Sequence, residues 1–313
     1  MIDFEPIAES KLDVIGAEEL FRKNGGIIEV RGVAYMQGRI YILEKVSNLT
    51  AVIRVYNREH MDSELETIKD DRFKEAQDIV ACLSRKVLYV LSQSCILAVD
   101  KKRTITAYKD GLDEVSATIS VAHKALLVTS SSGIRRYEHK LIGKPSESTV
   151  QLPRSMMTKL WHALEIDGGY ILSHTEAGEL NRVTCISKAE RDKSYVERYT
   201  SADQFGLGSP VHLALEPTSG HIFVADNDNR RIVLLKRKSI DYECVYLIPE
   251  LPERCYPTRL CYVEDRQELL VGTTNGFTIG YTIKMCVFYA IALYIYRMAQ
   301  ESKLLSRIII KSY

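Results

Sequence analysis

The chain has 313 residues, 46% of them hydrophobic, which is enough for a sizeable buried core and too apolar for a disordered polymer. Its 42 basic and 41 acidic residues give a formal net charge of +1, which excludes a global electrostatic pull toward nucleic acid or anionic lipid. Seven cysteines, with no CxxC pair, argue against a disulfide framework or a CxxC zinc site and read as reduced thiols of a cytoplasmic protein.

The chain opens with MIDFEPIAESKLDV, which has neither the basic start nor the apolar run of a secretory signal. Leu12 to Phe21 is the first candidate element, a strand or a short helix. The helix fits poorly, because Glu18 stands where the spacing after Val14 and Ile15 asks for an apolar residue. From there a two-part apolar unit recurs. It reads GVAYMQGRIYIL from Gly32, DIVACLSRKVLYVL from Asp78 and TISVAHKALLVT from Thr118. It continues as HALEIDGGYILS from His162, HLALEPTSGHIFVA from His212 and RLCYVEDRQELLVG from Arg259. Unit starts are 46, 40, 44, 50 and 47 residues apart. The apolar runs are short, rich in Val, Ile, Leu and Tyr, and bounded by Gly, Asp, Ser and Pro, so they predict strands. Third strands follow in several units, such as AVIRVYN after Thr50, GIRRYEH from Gly133 and RIVLLKRK from Arg231. The last apolar stretch, Met285 to Tyr296, covers 12 residues. A membrane-spanning helix needs about 20, so no span is predicted.

Multi-strand units of this length match the blades of a β-propeller. The fifth unit adds a motif: Asp226, Asn229, Arg231 and Ile232 spell D-x-x-N-x-R-I between two strands. It resembles the NHL repeat, as found in the NHL domain of tripartite-motif proteins. The resemblance implies an all-β, six-bladed propeller over residues 27–284. An N-terminal segment, 1–26, is available to close the last blade, and 285–313 form a non-repeat tail. Asp and Asn at such a turn can bond its backbone, and the Arg can bridge to a carboxylate, so the motif reads as structural. Other units depart from it: Glu44, Ser92, Ser130, His174 and Thr273 stand in place of Asp226.

Aligning the units brings Gly32, Asp78, Thr118, His162, His212 and Arg259 to one position, at the entry to each innermost strand. Side chains from every blade converge at a channel mouth. Asp78, His162, His212 and Arg259 are therefore the candidate recognition residues. The two histidines lie in adjacent blades and with Asp78 offer a nitrogen, nitrogen, oxygen set for a metal. The ring is mixed and three of its positions are not ligands, so a hydrated polar lining is the favoured account. No metal, cofactor or catalytic residue is assigned, and G-x-S-x-G, HExxH, P-loop and GxGxxG patterns are absent. The expected function is a non-enzymatic, monomeric scaffold presenting propeller loops to a protein partner. The first alternative, implied by the resemblance, is RNA or substrate recognition akin to tripartite-motif ubiquitin ligases. Its basic clusters would be Lys101-Lys102-Arg103, Arg135-Arg136, Arg230-Arg231 and Lys236-Arg237-Lys238. The second is a metal-dependent hydrolase or lyase at the channel mouth.

Overall fold

The computed structural model describes residues 13–24, 29–47, 50–112, 116–130, 133–140, 144–152, 159–166, 168–176, 178, 180–188, 195–201, 206–238, 241–248 and 250–286. They form six four-stranded antiparallel sheets arranged as the blades of a propeller. Blade 1 is β2 (Glu29–Met36), β3 (Arg39–Ser47), β4 (Thr50–Asn57) and β5 (His60–Ile68). Blade 2 is β6 (Ala76–Cys82), β7 (Val87–Ser92), β8 (Cys95–Val99) and β9 (Ile105–Asp110). Blade 3 is β10 (Ser116–Ala122), β11 (Ala125–Ser130), β12 (Gly133–Glu138) and β13 (Ser146–Val150). Blade 4 is β14 (Lys159–Ile166), β15 (Gly169–Thr175), β16 (Asn181–Lys188) and β17 (Tyr195–Thr200). Blade 5 is β18 (Pro210–Glu216), β19 (His221–Asp226), β20 (Arg231–Lys238) and β21 (Asp241–Ile248). Blade 6 joins the two ends of the chain. Its order is β22 (Pro257–Val263), β23 (Glu268–Thr273), β24 (Phe277–Cys286), then β1 (Asp13–Asn24) as the outermost strand.

The strand alternative thus holds from Asp13 to Phe21, with Leu12 outside the described residues, and Glu18 pairs with Thr282 in that strand. Met285 and Cys286 also belong to the sheet, opposite Val14 and Asp13. The rest of the expected tail, and of the Met285 to Tyr296 run, lies outside the described residues. Among the described residues no helix is long and apolar enough to cross a membrane.

Burial explains why the sequence repeats as it does. The second strand of each blade is covered on both faces by neighbouring blades, so β11, β19 and β23 are buried at every position. Such strands read as continuous apolar runs rather than as alternations. Outermost strands face water: β13 (SESTV) buries only its last residue. The core is divided among the seams. One apolar cluster sits at each blade boundary, for example Tyr89 with Leu126 between blades 2 and 3, and Phe223 with Leu269 between blades 5 and 6.

The D-x-x-N-x-R-I residues act at the corner between β19 and β20. Asp226 is fully buried, and its carboxylate accepts from Gly208 N–H (2.7 Å), Asn229 Nδ2 (2.9 Å) and Arg231 Nε (2.6 Å). Ile232 fills the core behind it. The residues aligned with Asp226 are all buried and close their corners with other chemistry. Glu44 pairs with Arg54 (2.6 Å), and Thr273 Oγ1 both donates to Phe277 C=O (3.0 Å) and accepts from its N–H (3.2 Å). His174 Nε2 shares a 2.8 Å hydrogen bond with Thr184 Oγ1.

The ring of blades is locked where β1 docks. Gly280 leaves the space that the Phe21 ring occupies, with no room for a Cβ. The Arg58 guanidinium lies 5.1 Å from the Phe21 ring centre and binds Glu268 in a two-pronged pair (2.6 and 2.7 Å). That pair ties blade 1 to blade 6 with little exposure, and the two prongs fix its geometry.

Candidate channel site

Every innermost strand carries the same backbone irregularity. In β2, β6, β10, β14, β18 and β22 the register against the second strand slips just before the aligned position, leaving Arg31, Gln77, Ala117, Trp161, Val211 and Thr258 as extra residues. A bulge bends a strand and re-aims the side chain that follows it. Six repeats of it turn Gly32, Asp78, Thr118, His162, His212 and Arg259 into one ring.

That ring, with its bulge residues, hydrogen-bonds across all six seams. Arg31 Nη1 donates to Ala76 C=O (2.9 Å), Ile119 N–H to Asp78 Oδ2 (3.0 Å), and Thr118 Oγ1 to Trp161 C=O (3.0 Å). Leu213 N–H donates to His162 Nδ1 (3.2 Å), Leu260 N–H to His212 Nδ1 (3.3 Å), and Thr258 Oγ1 to Val30 C=O (3.0 Å). Two further contacts span the channel. Arg259 Nε reaches Asp78 Oδ1 (3.2 Å) over Gly32, while Nη2 donates to Gln77 C=O (2.8 Å). His212 Nε2 lies 3.7 Å from Asp78 Oδ2. Gly32 is required there: a Cβ would sit 2.7 Å from Ile79 N and 3.3 Å from Asp78 Oδ1.

All four candidate recognition residues therefore meet, but inside the molecule. Asp78 and His162 are 1% exposed and His212 7%. The imidazoles stack, with centroids 3.9 Å apart and planes 21° from parallel. Because each Nδ1 accepts a backbone N–H, each ring is the Nε2–H tautomer. His162 Nε2 has no hydrogen-bond partner among the described residues. Burial, reinforced by the neighbouring His212 and Arg259, holds His162 well below the ordinary 6.5. Burial lowers His212 too, against the pull of Asp78. Burial also opposes the Asp78 charge, but Arg259, His212 and Ile119 N–H outweigh it and hold the carboxyl below its usual range. The floor of the site is thus a paired carboxylate and guanidinium beneath two neutral rings.

This geometry does not suit the nitrogen, nitrogen, oxygen metal set. The one lone pair each neutral imidazole offers is already directed at an N–H of the next blade, and the rings stack instead of converging. No group of three His, Cys, Asp or Glu able to hold a metal occurs among the described residues. The arginines of the basic clusters are largely engaged by carboxylates. Arg103 pairs with Glu66, Arg135 with Glu147, Arg136 with Glu165, Arg230 with Glu250 and Arg231 with Asp226. Cys82, Cys95, Cys185, Cys244, Cys255 and Cys261 are free, and burial pushes the Cys185 thiol up to about 12, which leaves it unreactive near neutrality.

The channel opens away from the ring, toward the turns that join the first and second strands. There it widens into a funnel of about 810 Å³, with His162 and His212 in its lining. Its walls are mostly apolar, from Ile79, Ile119, Leu213, Leu215 and Leu260. Two large apolar side chains stand out at the rim: Leu83 is 62% exposed and Val121 36%. The rim turns pass through positive φ at Gln37, Lys86, Lys124, Gly168, Gly220 and Gln267. The ring was legible in the sequence and the funnel was not. The signal for the funnel was a pair of large apolar residues, Leu83 and Val121, at or beside turn positions that are ordinarily polar.

Fold and site define a six-bladed β-propeller whose channel is spanned by the Asp78–Arg259 pair and opens into the funnel. No family model matches the chain, and no curated protein does. The fold itself is widespread, with 1054 matching chains among solved structures, so it names no function by itself. One of them, a chain in the crystal structure of a mitotic checkpoint complex, superposes with a TM-score of 0.61. At 11% identity it covers 89% of this chain and 94% of that one, a likeness of fold alone.

Proposed function

We propose that this propeller is a non-enzymatic, monomeric, cytoplasmic scaffold that receives a protein partner at the funnel mouth. The observation that carries this reading is the open apolar funnel collared by Leu83 and Val121. Exposed apolar side chains grouped at a concave opening mark binding surfaces more often than isolated ones do. Asp78, His162, His212 and Arg259 contribute as its floor: the two histidines line it, and the carboxylate and guanidinium hold them. The NHL-like blade chemistry at Asp226, Asn229, Arg231 and Ile232 supports the platform and not the contact. The solved chain of similar fold comes from a multi-protein complex, which agrees with a scaffold role. The test compares the proteins captured by wild type with those captured by Leu83→Asp and Val121→Asp. Both positions are exposed enough for the fold to tolerate a charge. Specific loss of captured proteins supports the reading, and an unchanged set refutes it.

A further inference from the structure

The rim of the funnel is electrically lopsided. On blades 2 and 3 the turn residues Lys86 and Lys124 are exposed, and neither meets a carboxylate among the described residues. Diametrically opposite blade 3, blade 6 presents Glu264 and Asp265 on a short 3-10 turn (Glu264–Arg266). Glu264 has no partner among the described residues, and Asp265 accepts only a 3.3 Å hydrogen bond from Tyr35. Of the other charges nearby, Arg39 on the blade 1 turn and Arg85 beside Lys86 are exposed and extend the basic side, while the rest are engaged. Arg266 is bound to Glu59, Glu165 to Arg136, and the Glu216 carboxylate to the N–H groups of Thr218 (2.9 Å) and Ser219 (2.7 Å). The apolar well is thus lined by Glu264 and Asp265 on blade 6, while Lys86 and Lys124 stand on the exposed turns of blades 2 and 3.

From this we infer that the partner presents a short peptide segment with a large apolar side chain flanked by an acidic residue on one side and a basic residue on the other. The inference rests on the reading of the funnel as the docking site. The apolar side chain enters the well, the acidic flank meets Lys86 and Lys124, and the basic flank meets Glu264 and Asp265. A uniformly charged polymer such as RNA satisfies one side and is repelled by the other, because complementary charges steer and orient while like charges are rejected. Exposed pairs of this kind are individually weak, so each should change affinity by only about threefold, with the effect fading as salt rises.

The experiment is selection of displayed random peptides on wild type and on the Lys86→Glu/Lys124→Glu double variant, both checked for an unchanged melting temperature. Wild type should enrich peptides with Leu, Phe or Met between an acidic and a basic flank. The double variant should replace the acidic flank with a second basic one. Synthetic peptides of the enriched sequence should lose about threefold in affinity for each flanking charge reversed. Enrichment of uniformly charged peptides, identical enrichment on both proteins, or no enrichment overturns the inference. Partner capture by Leu83→Asp separates the two levels. If Leu83→Asp abolishes capture while no charge pattern emerges, only this inference falls. If capture is undiminished, the docking site itself is wrong.

Discussion

Acidification should destabilise this propeller through two buried imidazoles. His162 and His212 are neutral in the folded chain because burial opposes their charge. In the unfolded chain each returns to the ordinary value of 6.5. Their folded pKa values are lowered, so below 6.5 the unfolded state takes up protons that the folded state refuses. Stability is complete well above 6.5 and falls as pH drops. For one imidazole that stays neutral, lowering pH from about 7.5 to about 5.5 costs roughly 1.4 kcal/mol, and for both roughly 2.7 kcal/mol. His212 lies beside Asp78 and is held less firmly, so the pair's figure is a ceiling. Asp78 does not confuse this window: its carboxyl is lowered from 3.8, so its contribution is lost only at more acid pH. The assay is urea unfolding at the two pH values for wild type and His162→Gln, whose amide oxygen can still accept the Leu213 N–H. The variant should lose about 1.4 kcal/mol of the pH dependence. Equal pH dependence in the two proteins would show that His162 titrates normally in the fold and that the ring is wet.

Three further outcomes follow from the packing. Gly32→Ala should destabilise by about 1–3 kcal/mol, since the new methyl must displace Ile79 backbone and crowd the Asp78 carboxylate; an unchanged melting curve would refute the close approach. Asp226→Ala should cost about 1–3 kcal/mol, because it removes the carboxylate partner of the part-buried Arg231 guanidinium and leaves Gly208 N–H unpaired. Asp226→Asn should cost less, and equal costs for the two variants in chemical denaturation would contradict the charge-based account. Deleting residues 1–24 should uncover the free edge of β24 and remove Phe21 from Gly280, giving a lower melting temperature and self-association in sedimentation; a monomer of unchanged stability would mean that β1 does not close the ring.

The blade count was legible because the second strand of each blade is buried along most of its length, and burial writes apolar runs such as LLVT and HIFVA into the sequence. Outer strands were fainter: Ile105–Asp110 leaves every residue at least partly exposed, so neither period nor composition announces it. The aligned ring position was readable in all six units, because each unit opens one residue past a bulge. The bulge itself was not readable. It is a matter of backbone register, and its extra residues, Arg31, Gln77, Ala117, Trp161, Val211 and Thr258, share no chemistry. Nor could the sequence show that Asp78, His162, His212 and Arg259 would consume one another's hydrogen bonds. That depends on Gly32 leaving a gap through which blades 2 and 6 touch.

The placement of β1 has a consequence for how the molecule is made. Asp13 must wait for Cys286, its partner across the sheet, to leave the ribosome. At ordinary translation rates the delay is on the order of tens of seconds, during which β1 has no mate. Blades 1 to 5 can each form from contiguous chain as they emerge, but the circle, the ring of cross-seam bonds and the funnel above it exist only after the sixth sheet is complete. If the funnel is the docking site proposed above, its occupancy would report a closed ring, and a chain in which β1 and β24 have not yet paired would be silent to the same partner.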